Sequence, residues 1–214
     1  CAVGGATSSQ GKGVWSGDGT IRNLRFSSGT FLPTGHVDVI DRARVDGIGF
    51  VSGAVASRTR FLDGLDLQAN FIVSTGAVEL GGNTVVQGSV GLGIGNGATL
   101  TVLPGATLRL ANDATAAGTG AIVGPGRFVN QGVVRRDTGT GEFRFSVTEV
   151  INEGRLALES GSATAVLDFR QTVDGTLAMT LGSVAGPFAI GGDATLAGLP
   201  EIGFADGFLP SLGQ

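Results

Sequence analysis

The chain reads as short runs in which every second residue is apolar, separated by breaks that contain glycine. In Gly105-Ala106-Thr107-Leu108-Arg109-Leu110, Leu108 and Leu110 fall on one side and Thr107 and Arg109 on the other. A period of two marks a strand with one buried face. Helices are disfavoured almost everywhere, because 39 of the 214 residues are glycine and each interior Gly costs a helix about 1 kcal/mol relative to Ala.

The runs also repeat. Phe128-Val129-Asn130-Gln131-Gly132 aligns with Val150-Ile151-Asn152-Glu153-Gly154 at an offset of 22, and the glycine recurs as Gly175, 21 further on. Gly76-Ala77-Val78-Glu79-Leu80 and Gly97-Ala98-Thr99-Leu100-Thr101 are set 21 apart, with the copy at Gly105 eight residues later. A shift of 22 lays Val39 over Phe61, Ala43 over Leu65 and Val45 over Leu67. The same shift lays Asp38 over Arg60 and Arg44 over Asp66, so opposite charges stack between neighbouring units. A unit this short cannot hold a helical pair and predicts a coil of two or three short strands. The fold class expected is all-β, a right-handed parallel β-helix (β-solenoid) with rungs of about 21–22 residues. Residues 1–30 lead into the solenoid, 31–182 form its rungs, and 183–214 are the C-terminal final rungs, a candidate incomplete turn. Val129, Ile151 and Leu177 are expected to point inward, with Asn130 and Asn152 at tight corners, their amides bonded to the next rung. The alternative is an antiparallel β-sandwich, whose turn signals at 8–12-residue intervals the pair Gly97 and Gly105 imitates.

The apolar-Asn-x-Gly rungs at 128–132 and 150–154 resemble the β-solenoid stalks of bacterial exported surface proteins, of the autotransporter passenger and filamentous adhesin type. The tail Phe169-Arg170-Gln171, Gly175-Thr176-Leu177, Ile190-Gly191-Gly192-Asp193 and Gly207-Phe208-Leu209-Pro210 is similar to the C-terminal end of such repeat proteins, where one more aromatic strand normally follows. The resemblance covers about the last 140 residues. It implies a fold and export to the outer surface of a bacterium, and it carries no common active site.

Composition narrows the setting. With 42% hydrophobic residues and 12 Phe, the chain can bury a core and is not a disordered linker. Six prolines without a Gly-X-Y period exclude collagen. Thirteen Arg and one Lys against 18 acids leave a net charge of -4, so no basic surface exists to neutralise phosphates and nucleic acid is not an expected partner. The long uncharged stretch Gly81 to Leu108 is broken by Asn83, Thr84, Gln87 and Asn96, and no apolar run reaches the ~20 residues of a membrane helix. The single cysteine, Cys1, permits no internal disulfide.

The richest polar cluster joins His36, Asp38, Asp41, Arg42, Arg44 and Asp46 to Arg58, Arg60, Asp63 and Asp66 one turn on. Polysaccharide lyases and hydrolases on β-helices use such residues as acid, base or metal ligands. The plainer reading is a solvated ladder of compensating charges. The candidate ligand face is therefore His36, Asp38, Asp41, Arg44, Arg60, Asp63 and Asp66, with no catalytic, metal or cofactor residue assigned. His36 is the only histidine, and no Gly-x-Ser-x-Gly elbow lies near it. Gly91 to Gly97 lacks the following helix and lysine of a phosphate loop, and Gly191-Gly192-Asp193 is a lone partial match to a calcium-binding nonapeptide. Cys1 reads either as the lipidated first residue of a mature lipoprotein or as the point where a longer chain was cut. Trp15, Phe204, Phe208 and Leu209 are the candidate interface for head-to-tail self-assembly, because coil ends carry unpaired strand edges. The expected function is structural: an extracellular stalk, adhesin module or self-assembling fibre subunit, without a cofactor, whose partners are its own copies or other surface proteins and glycans. The alternative is a polysaccharide-binding or polysaccharide-cleaving β-helix that uses the charged face from Asp38 to Asp66.

Overall fold

The computed structural model describes residues 2–3, 8–112, 121–182, 185–205 and 207. Among them strands are the only regular elements, and every strand pairing is parallel. An antiparallel sandwich is thereby excluded. The chain is a β-solenoid with three faces per turn. Ten strands, from Ala2–Val3 to Ala194–Leu196, stack as the first face. The second and third faces are joined through the long strand Arg25–Pro33, whose first part pairs with Ala43–Val45 and whose later part pairs with Gly49–Ser52. They end at Leu199–Phe204 and Ala185–Ile190 among the described residues. At the usual strand spacing of about 4.8 Å, ten stacked strands extend roughly 43 Å.

The offset of 22 holds where the sequence repeat is clearest. Val39 lies beside Phe61, Ala43 beside Leu65 and Val45 beside Leu67, and Phe128 and Asn130 lie beside Val150 and Asn152. The turn length is not constant. On the first face it ranges from 18 residues at Gly19↔Val37 to 28 at Thr99↔Arg127. Strands set the faces and corners absorb the difference.

One register differs from the sequence reading. Ala77 pairs with Thr99, so the offset there is 22 and Gly76 does not stack on Gly97. The corner Gly95–Ala98, closed by Ala98 N–H donating to the Gly95 carbonyl at 3.0 Å, holds one residue more than the glycine match allows. A one-residue slip exchanges the two faces of a strand and would have set Glu79 on Leu100. The copy at Gly105 is the second-face strand of the same turn, since Asn83 pairs with Thr107. The short spacing that imitates a hairpin is therefore one corner of the coil.

Corners between the first and second faces take two to four residues, and several of them turn through left-handed backbone. Gly64 has φ +81, and a Cβ there would lie 2.3 Å from the Asn83 carbonyl oxygen. Asp41, at φ 70, takes the same kind of turn one rung earlier, as its short polar side chain permits.

Inward positions form ladders along the coil. On the first face one runs Ile21, Val39, Phe61, Leu80, Val102 and then changes chemistry to Asn130, Asn152, Gln171. Asn130 Nδ2 donates to Asn152 Oδ1 at 2.8 Å, Asn152 Nδ2 to the Thr176 carbonyl at 2.9 Å, and Gln171 Nε2 to the Ala197 carbonyl at 2.6 Å. These amides are buried, yet each hands a donor onward. The ladder's open end is Asn130 Oδ1, which has no partner because Val102 precedes it. On the third face large and small side chains alternate. Phe143 and Phe145 lie beside Ala163 and Ala165, which lie beside Phe188 and Ile190. Phe143 and Phe145 meet edge to face at 5.2 Å, and Phe169 and Phe188 at 5.0 Å.

Leu177 lies in the core cluster as expected, whereas Val129 and Ile151 do not. Strand alternation sends Phe128, Val150 and Phe169 inward and puts Val129, Ile151 and Arg170 on the outer side of the first face. Ile151 is nevertheless only 4% exposed. Phe128→Ala should therefore cost about 3–5 kcal/mol, as emptied aromatic core positions do, while Val129→Thr should stay within about 1 kcal/mol in urea unfolding. Asn152→Leu should cost roughly 2–4 kcal/mol, because it strips the Asn130 amide and the Thr176 carbonyl of a buried partner. An Asn152→Leu protein as stable as the wild type would show that the amide ladder contributes nothing.

Candidate functional site

Outward positions carry the charge, and the coil sorts it. On the first face Arg60 Nε lies 3.2 Å from Asp38 and 3.6 Å from Glu79, the acids one turn to either side. Farther along, Glu149 lies 2.9 Å from Arg127 and accepts from Arg170 at 3.3 Å. On the second face Asp137 lies 2.7 Å from Arg109 and 2.9 Å from Arg135, which reaches Glu159 at 3.2 Å. Arg155 spans a whole turn to Glu201 at 2.6 Å, crossing the strand on which Thr176 is its own register partner and Ala178 that of Glu201. On the third face Glu142 accepts from Thr164 and Arg144.

The seven ligand-face candidates are divided among these surfaces. His36, Asp38 and Arg60 stand on the first face, with the His36 N–H donating to Asp18 at 2.7 Å. Asp41 and Asp63 occupy the next corner, where Asp63 Oδ2 accepts the Asp41 N–H at 3.0 Å. Arg44 and Asp66 stack on the second face as the repeat requires. Arg44, however, hydrogen-bonds Asp46 in its own turn, and Arg25 joins the same carboxylate. Asp66 takes a hydrogen bond from Gln68 at 2.8 Å.

Of the assembly candidates, Phe204 is 54% exposed on the last described second-face strand, Trp15 ends the strand Ser8–Trp15, and Phe208 and Leu209 lie outside the described residues. Cys1 lies outside them too. Gly91 and Gly95 flank the third-face strand Leu92–Ile94, so that glycine-rich stretch builds corners. Among the described residues no group of three or more His, Cys, Asp or Glu is placed to hold a metal ion, and no helix is long and apolar enough to cross a membrane.

Arg136 escaped the sequence reading. It occupies an inward second-face position beside Leu158, fully buried, and donates to the Asn112 carbonyl at 2.5 Å and the Gly141 carbonyl at 2.9 Å. Its guanidinium lies 6.0 Å from the Phe143 ring centre. Nothing in Val133-Val134-Arg135-Arg136 distinguishes the outer arginine from the buried one except the alternation itself.

The hydrogen bond from Arg44 holds the Asp46 carboxyl below its ordinary range, with Arg25 adding to the effect and desolvation opposing it. Thr164 first and Arg144 second do the same for Glu142. A carboxyl lowered in the folded state stabilises the fold above its unfolded pKa, about 4, and that contribution is lost as pH falls through the folded value. Asp46→Asn should flatten the acid limb of stability below about pH 4 while leaving its shape near neutrality intact. Urea titrations between pH 2 and 7 would show this, and an unchanged acid limb would refute the coupling.

No protein-family model, curated protein or solved structure matches this chain.

Proposed function

We propose that this chain is a structural β-solenoid of an exported bacterial surface protein, serving as a stiff stalk or adhesive module rather than as a catalyst. The observation that carries this reading is the neutralisation of outward charge between neighbouring turns, as in Asp38–Arg60–Glu79 and Arg127–Glu149–Arg170. Such pairs are individually weak, but strung along a rod they fix the relative rotation of successive turns. The stacked rungs 128–132 and 150–154 give the resemblance to exported stalks its physical content, because the Asn ladder and the paired corners at Gly132 and Gly154 are one structural unit used twice.

A stalk tolerates a change in its number of turns, whereas a catalytic cleft that spans turns does not. Deleting residues 127–148, which brings Glu149 to the place of Arg127, should leave a cooperatively melting protein whose maximum dimension in small-angle scattering is shorter by about 5 Å. A deletion variant that is collapsed or aggregated would refute the modular rod. Antibodies against the chain should label intact source cells from outside, and labelling only after permeabilisation would refute surface display.

A further inference from the structure

Arg42 is the exception among the arginines. Among the described residues eleven others have a carboxylate within ion-pair distance, and Arg136 is buried and donates to carbonyls. Arg42 is exposed, and its one recorded bond runs from Nη2 to the Asn83 carbonyl at 3.0 Å. Register explains why it is unmatched. The residue stacked on it is Gly64, in line with Ala43 on Leu65, so the position that supplies an acid elsewhere supplies no side chain here.

The bond to Asn83 lays the Arg42 side chain along a groove of about 260 Å³ on the second face. Val85 is part of its lining, with Asp66 on the rung before and Arg109 on the rung after. Gln87, exposed at the end of the same strand as Val85, lines it as well. Two guanidiniums thus border one shallow, open groove that also holds an amide and a carboxylate.

We propose that this groove binds an acidic sugar of the uronate class. The sugar carboxylate is taken by Arg42, whose remaining N–H groups are uncommitted among the described residues, while Arg109, paired with Asp137 at 2.7 Å, borders the groove one rung on. Charge-assisted bonds of this kind are the strong ones at a surface. The ring hydroxyls find an acceptor in Asp66 and donors and acceptors in Gln87. Asp66 also selects the class, because a multiply charged phosphate would meet a like charge and gain nothing from an acceptor, whereas a singly charged sugar with hydroxyl donors uses both signs. Successive rungs repeat at about 4.8 Å, so the open groove accommodates a chain of sugars rather than a single enclosed one.

Calorimetric titration of hexagalacturonate tests the site. Wild type should bind it, with affinity falling as salt is raised, and should not measurably bind the fully methyl-esterified hexamer, which keeps the hydroxyls and lacks the charge. Arg42→Ala should weaken binding tenfold or more. Arg42→Gln, which keeps a donor for Asn83 and so protects the corner, should weaken it as much, while Arg22→Ala on the first face should leave it unchanged. Absence of binding at millimolar hexagalacturonate, or wild-type affinity in both Arg42 variants, would overturn the site. Tighter binding of a sulfated galactan hexamer would overturn the uronate assignment. The site does not rest on the stalk reading: loss of uronate binding with an intact, shortenable rod refutes the groove alone, and a collapsed deletion variant refutes the rod alone.

Discussion

Parallel stacking at one fixed spacing governs this molecule. Each residue in a strand has as its neighbours the residues at the same position one turn earlier and one turn later, so side chains are selected in ladders rather than in pairs. An apolar ladder such as Val39, Phe61, Leu80 and Val102 satisfies that requirement by contact alone. A polar side chain placed inside satisfies it only if its neighbour carries a matching group, because an unmatched buried amide costs on the order of 1–3 kcal/mol. Asn130, Asn152 and Gln171 meet the condition by succession, Asn130 donating to Asn152, Asn152 to Gln171, and Gln171 to the Ala197 carbonyl of the following turn. The ladder's single orphan, Asn130 Oδ1, lies where the chemistry changes from valine to asparagine.

The same spacing made much of the fold legible before any coordinates. Wherever two turns happened to have equal corner lengths, self-comparison found the true register, as at Val39/Phe61 and Phe128/Val150. It failed where it trusted glycine. Glycines mark corners, and corners are where this coil varies its length, so matching Gly76 to Gly97 placed the strands one residue out of step. The inward assignment of Val129 and Ile151 failed because an apolar pair beside Asn reads as core and Asn as surface. The ladder reverses that, turning the amides inward and Val129 and Ile151 to the opposite side of the strand, where Ile151 is still buried. Arg136 was illegible for a related reason. Its burial depends on carbonyls at Asn112 and Gly141, which come together only once the turns are stacked.

The charged cluster was legible as a set of residues but not as a site. Sequence proximity over Asp38 to Asp66 suggested one face, yet parts of five strands and the corners between them lie within those residues, and they send their charges in different directions. Asp38 finds Arg60, Asp41 and Asp63 meet at the corner, and Arg44 turns to Asp46. Residues adjacent in sequence are thus parted by the corner, while those about 22 apart are joined.

In a coil built this way, a binding site arises from a break in the ladder rather than from a cleft. Matched charges on adjacent turns satisfy one another and offer little to a ligand, and removing them from water again would cost what their pairing gained. A charge whose register partner lacks a side chain has no such commitment. Arg42 is in that position because the tight corner beneath it requires Gly64, with left-handed backbone and no room for a Cβ. The constraint that closes the corner therefore also leaves the cation unmatched. The groove beside it thus contains one cation left unmatched by a backbone requirement, on a protein whose overall charge is negative.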